Sequence, residues 1–296
     1  MNYLRVIPRL DIKGPNLVKG IHLEGLRVLG QPEVFAEAYY AQGADELLYM
    51  DVVASLYGRN NILDIVERTA RHVAIPLTVG GGLRSLDDIK AVLRAGADKV
   101  SLNTAAVRQP ELIREASRRF GSSTILVAVE VIKVSPSRYE AFTDNGREQT
   151  GLDAFEWATR VAEMGAGELL VTSIDREGTG QGFDLELTRR IATSVGIPVI
   201  ACGGAGQPSH LVDVVRDGAA DAVCLASMLH YGLSHLPGVD SGEGNTEFLR
   251  GGRGFGGRKG IGLQTSSIGE LKRHLTVSGV PCRELAVAAV TRENGR

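Results

Sequence analysis

The sequence predicts an α/β protein folded as a (β/α)8 barrel built from two repeated half-barrels. Three observations predict it. Eight short apolar segments alternate with stretches of helical periodicity, and eight parallel strands are the number that closes such a barrel. The chain repeats itself at an offset of 122 residues, Gly165 falling on Gly43 and Gly203 on Gly81. Finally, carboxylates and glycine turns gather at the C-terminal ends of the apolar segments, where a barrel of this kind carries its chemistry.

The predicted strands, in order, are RVIPRLD (5–11), ELLYMDV (46–52), PLTVGG (76–81), KVSLN (99–103), TILVAVEV (124–131), ELLVTSI (168–174), PVIACGG (198–204) and AVCLAS (222–227). Their apolar runs are near-continuous rather than alternating, the pattern of strands covered on both faces. Between them, 32–43, 85–96, 154–165 and 208–218 place apolar residues three and four apart and end at glycine, which predicts helices. The repeat pairs GADELLYMD (43–51) with GAGELLVTS (165–173), and 76–105 with 198–228. It divides a barrel of residues 1–231 into halves of about 1–120 and 121–231. Residues 232–267 hold 11 glycines in 36 positions, too many for a packed element, and read as a flexible insertion. Its RGGRGFGGRKG segment is short enough that a solvated insertion is the better reading than an RNA-binding tract. Residues 268–296 supply a last helix and a tail, with Ser266 or Ser267 as N-cap.

Composition narrows the function. With 43% hydrophobic and 23% charged residues and a formal net charge of −2, nothing points to nucleic acid or an anionic membrane. Three cysteines without a C-x-x-C pair suit a reducing compartment, and no apolar run has the length of a signal peptide or membrane span. A cytoplasmic protein is expected. Six histidines lack metal-ligand spacing, so neither a metal nor another cofactor is expected. Cys202 and Cys224 read as small core residues, with no histidine placed to activate them.

Two carboxylates interrupt the apolar pattern. Asp11 and Glu130 sit near the ends of the first and fifth strands, where an ionised group is costly unless it has work to do. The repeat overlays these two strands, so the pair should face one another across the barrel axis as general base and general acid. The structural alternative is a simple ion pair of each with Lys13, Lys19 or Lys133. Glycine turns follow the third strand (GGGLRS, 80–85), the sixth (SIDREGT, 173–179) and the seventh (CGGAGQ, 202–207). Small polar residues close the fourth and eighth strands at 101–104 and 225–227. Exposed N–H groups of such turns bind phosphate, and the internal repeat implies two phosphate sites on opposite rims. The substrate is therefore expected to carry a phosphate at each end. At the opposite face, Arg5, Glu46, Lys99 and Glu168 begin four strands with alternating charge, suited to a ring of ion pairs that either stabilises the base or acts as a gate.

LDIKG, DELLYMDVVAS, TVGGGLRS, GADKVSLNTAAV, TSIDREGT and ACGGAG together resemble the cyclase subunit of imidazole glycerol phosphate synthase, over residues 3–231 and again over 267–284. The resemblance implies a lyase of histidine biosynthesis. It would use ammonia from a glutaminase subunit docked under the barrel to cleave and cyclise a bis-phosphorylated ribulosyl formimino carboxamide nucleotide. The products would be imidazole glycerol phosphate and aminoimidazole carboxamide ribotide. Residue by residue, it implies Asp11 as base and Lys19 on the loop after the first strand. Asp51, Thr172 and Asp175 fall on active-site positions. Gly82, Asn103 and Thr104 fall on one phosphate site, and Gly178, Gly204, Ala226 and Ser227 on the other. Arg5, Glu46, Lys99 and Glu168 match the ammonia gate.

The chain departs from that pattern at Glu130, where the family carries aspartate, and at Arg9 and Pro15 beside Asp11. An added methylene that displaces a reacting group by about 1 Å costs on the order of a hundredfold in rate. The departures resemble a paralogous branch in which a cyclase-like barrel delivers ammonia to a separate sugar amidotransferase. That is the alternative function.

Overall fold

The computed structural model describes residues 3–54, 62–233 and 263–283. Eight parallel strands close on themselves: β1 (Arg5–Lys13), β4 (Leu47–Asp51), β5 (Leu77–Gly80), β6 (Lys99–Leu102), β7 (Ile125–Ser135), β10 (Glu168–Ser173), β11 (Val199–Cys202) and β12 (Ala222–Leu225). Pairing of β7 with β10 (Val129 opposite Val171) and of β12 with β1 (Val223 opposite Val6) completes the circle. The (β/α)8 barrel is therefore observed, with all eight predicted strands in it.

Four strands were not anticipated. After Asp11 the chain turns back as a hairpin, β2 (Asn16–Ile21) and β3 (Glu24–Gly30), and after Glu130 as another, β8 (Arg138–Thr143) and β9 (Glu148–Asp153). Each hairpin pairs antiparallel with the long strand that carries the carboxylate: Asp11 lies opposite Val18, and Glu130 opposite Phe142. The twofold repeat thus extends to these extensions.

Alternation along each strand sorts side chains into two cores. Outward residues such as Val6, Leu10, Val127, Val129, Leu169 and Val171 pack beneath the surrounding helices. Inward residues Ile7, Leu48, Leu126, Ala128, Leu170, Ile200, Cys202 and Cys224 fill the lumen. The predicted helices form at Pro32–Ala41, Leu86–Arg94, Ala154–Glu163 and Pro208–Arg216. The last described helix, Ile268–Val277, starts at Ser267, whose hydroxyl accepts from the Glu270 N–H while Glu270 reciprocates, a capping box. It packs beside Pro208–Arg216, and residues 281–282 lie against Leu4 at the start of the chain. Most of the glycine-rich segment, and the tail from 284 onward, lie outside the described residues.

Candidate active site

Asp11 and Glu130 both point into the mouth of the barrel, and both are buried. Burial pushes the Glu130 carboxyl up to about 7; Arg9 opposes the rise, and the negative charges of Asp11 and Asp144 add to it. The Gly146 N–H donates to this carboxyl, whereas its Oε2 has no hydrogen-bond partner among the described residues. A buried acid that keeps its proton near neutrality and has one unsatisfied oxygen is poised to give that proton away. Asp11 is held differently: Arg9 Nε donates to its Oδ1 at 2.7 Å. None of the lysines suggested as partners takes either group. Lys19 pairs with Glu177, Lys133 pairs with Glu186 at 2.9 Å, and Lys13 is exposed.

The glycine turns build two cradles with matching backbones. Gly81 and Gly82 (φ +97° and +71°) correspond to Gly203 and Gly204 (φ +93° and +103°). Asn103 (φ −138°, ψ −88°) corresponds to Ala226 (φ −127°, ψ −80°), and each leads into one short helix, Thr104–Arg108 or Ser227–His230. The first cradle opens into a cavity of about 220 Å³ lined by Gly82, Asn103, Thr104 and Glu130, so one phosphate seat and the acid share a chamber. The second is nearly closed, with about 20 Å³ among Gly178, Gly204, Ala226 and Ser227. It is covered from above by the β2–β3 hairpin, whose His22 N–H donates to the Glu177 carbonyl at 3.0 Å and whose Lys19 is ion-paired with Glu177. Burial alone would raise the Glu177 carboxyl; Lys19 and Arg9 outweigh it and hold the group below its ordinary value.

Other predicted residues take supporting positions. Asp51 Oδ1 accepts from the N–H groups of Val53 and Ala54 at 3.0 and 2.9 Å, and burial raises its carboxyl nonetheless. Asp175 is exposed and accepts from the Lys133 N–H at 2.8 Å, tying the sixth barrel strand to the fifth. Thr172 is buried, with Oγ1 3.5 Å from Arg9 Nη1. Thr104 Oγ1 accepts from the Asp144 N–H at 3.0 Å, which docks the β8–β9 turn on the first cradle. Four residues of this region were missed. Arg9 and Glu177 are buried ionic groups, and Arg84 and Arg108 line the larger cavity. The arginine after GGGL and the one four residues past Thr104 were visible signals, since phosphate seats attract guanidinium groups.

At the opposite end, Arg5 Nη1 lies 2.7 Å from both Glu46 and Glu168, and Lys99 Nζ lies 3.0 Å from both. The four charges form a closed ring across the base of the lumen. Directly above it, Ile7, Leu48, Thr78, Leu126, Leu170 and Ile200 enclose a cavity of about 10 Å³, at the lower limit for one molecule of water size. Among the described residues, no cluster of His, Cys, Asp and Glu side chains is placed to hold a metal ion. Nor is any of their helices long and apolar enough to cross a membrane.

Closed barrel, repeated half-barrels, and paired glycine cradles beside two buried carboxylates define a (β/α)8 protein with a candidate site at the C-terminal mouth. The chain belongs to the histidine biosynthesis protein family, which it matches over residues 5–235. It is 59% identical over 207 residues to imidazole glycerol phosphate synthase subunit HisF of Legionella pneumophila, an alignment covering 70% of this chain and 98% of that protein. It is 53% identical over 231 residues to the subunit of the same name from Trichormus variabilis, covering 77% and 90%.

Proposed function

We propose that this chain is the cyclase subunit of an imidazole glycerol phosphate synthase, a lyase of histidine biosynthesis acting in the cytoplasm. Ammonia released by a glutaminase subunit enters at the ring of Arg5, Glu46, Lys99 and Glu168 and crosses the lumen. It attacks the bis-phosphorylated ribulosyl formimino carboxamide nucleotide, whose phosphates sit in the two cradles. Asp11 takes protons as base and Glu130 returns them as acid. Both relatives carry the name of this subunit, which places the reading ahead of ammonia supply to a sugar amidotransferase.

The observation that carries the reading is the pair of carboxylates in unlike environments between two backbone-matched cradles. A spectroscopic cyclase assay tests it, with the purified chain, the bis-phosphate nucleotide and ammonium salt, followed from neutral to alkaline pH. Turnover that falls on the order of a hundredfold or more in Asp11→Asn and survives in Glu130→Asp is expected. An inactive parent, or an Asp11→Asn variant as fast as the parent, overturns the reading.

A further inference from the structure

We infer that Arg9 is the positioning residue of the catalytic layer, holding one oxygen of Asp11 from beneath while its guanidinium head reaches across the lumen toward Thr172 and Cys202. The inference rests on the cyclase reading above. On β1 the inward column runs Arg5, Ile7, Arg9, Asp11, because alternate residues share a face. Arg9 therefore lies one layer above the small cavity bordered by Ile7 and one layer below the catalytic carboxylates. It is 1% exposed, among the largest fully buried side chains of the protein.

A guanidinium in a closed lumen is expensive unless its partners hold it. Among the described residues, only one contact is both short and ionic: Nε to Asp11 Oδ1, 2.7 Å. The head makes weaker approaches across the lumen, Nη1 to Thr172 Oγ1 at 3.5 Å and to Cys202 Sγ at 3.8 Å, and Nη2 has no partner among the described residues. Cys202, which the head approaches, borders the second cradle, and Cys224 borders both that cradle and the small cavity below. A side chain kept there with part of its donor capacity unused is not explained by the head's own bonding. The Nε contact explains it. An aspartate carboxylate rotates through a broad torsional well, and a bond to one oxygen from a buried, fixed donor confines it while leaving the second oxygen outside that bond.

Arg9→Gln and Arg9→Met separate this role from simple filling of space. Glutamine places an N–H donor where Arg9 Nε stands and lacks the head; methionine fills a similar volume without a donor. Both variants are assayed in the full chain with the bis-phosphate nucleotide and saturating ammonium, with thermal unfolding measured alongside. The expected result is an Arg9→Gln kcat within about tenfold of the parent and an Arg9→Met kcat lower by about a hundredfold, with KM for the nucleotide moved less than about threefold in both. An active parent matched by Arg9→Met overturns the inference and leaves the cyclase reading standing. So does a loss in Arg9→Gln as large as a hundredfold, or a defect confined to KM. If Arg9→Met does not fold, Arg9→Gln decides alone by the same limits. A parent without turnover removes the cyclase reading and this inference with it.

Discussion

Glu130 shows how one side chain trades stability for chemistry. Its carboxyl is lifted from about 4.5 to about 7 because water is excluded from it. Between those values the folded protein binds a proton that the unfolded chain has lost, so stability falls as pH rises through the window and is lowest above it. At about 1.4 kcal/mol per pH unit the charged form costs roughly 3 kcal/mol. Glu130→Gln removes the ionisation. Urea unfolding should show the variant gaining on the parent by roughly 3 kcal/mol between about pH 4 and about pH 8. A gap that stays constant with pH contradicts the burial argument. In the proposed mechanism the same titration limits activity at high pH, since the acid form of Glu130 is depleted as pH rises through about 7. His230 illustrates the opposite sign: burial, with Lys19 adding to it, lowers its imidazole to about 3, so it stays neutral while its Nδ1 meets the Tyr39 hydroxyl at 2.6 Å.

Among the elements, the glycine turns and the hairpins divide what could be read in advance from what could not. A turn at Gly204 needs a positive φ of +103°, and a Cβ there would stand 2.1 Å from the Gly182 carbonyl oxygen. Gly204→Ala must therefore displace the second cradle. The expected outcome is a rise of at least about tenfold in KM for the bis-phosphate nucleotide with a smaller change in kcat, read from steady-state kinetics with ammonium. Unchanged KM would remove the second cradle from the binding site. Such glycines are legible because only a missing side chain permits the conformation. The barrel strands are equally legible, since burial on both faces leaves an uninterrupted apolar run. The hairpins are not. β3 (EGLRVLG) and β9 (EQTGLD) are mostly exposed or half-buried, so polar residues and turn formers mask the period of two. The ion pairs of Arg9 with Asp11 and of Lys19 with Glu177 were hidden for a related reason. Sequence identifies which charges must be neutralised, whereas the choice among several neighbours is made by three-dimensional packing.

Across the whole molecule, a single repeat explains why the two ends of the barrel do different work. Duplication gives two cradles and two carboxylates at the mouth, and at the base it gives Glu46 and Glu168 at equivalent positions, each the first residue of its apolar run. Two like charges facing one another there would repel, and Arg5 and Lys99, contributed by β1 and β6, neutralise them in alternation. The resulting ring is planar in its connectivity: each cation touches both anions, and each anion touches both cations. Removing one cation is then unlike deleting a surface ion pair, because two buried carboxylates are left to share Arg5. Lys99→Met should open the base of the lumen and destabilise the protein by about 1–3 kcal/mol. In a complex with the glutaminase subunit, the yield of imidazole product per glutamine hydrolysed should drop further than ammonium-driven turnover, since ammonia then escapes before it reaches Asp11 and Glu130. Parallel measurement of glutamate release and of imidazole product separates the two effects. Equal losses in both would make the ring a stabilising feature of the barrel base and would take the ammonia entrance elsewhere.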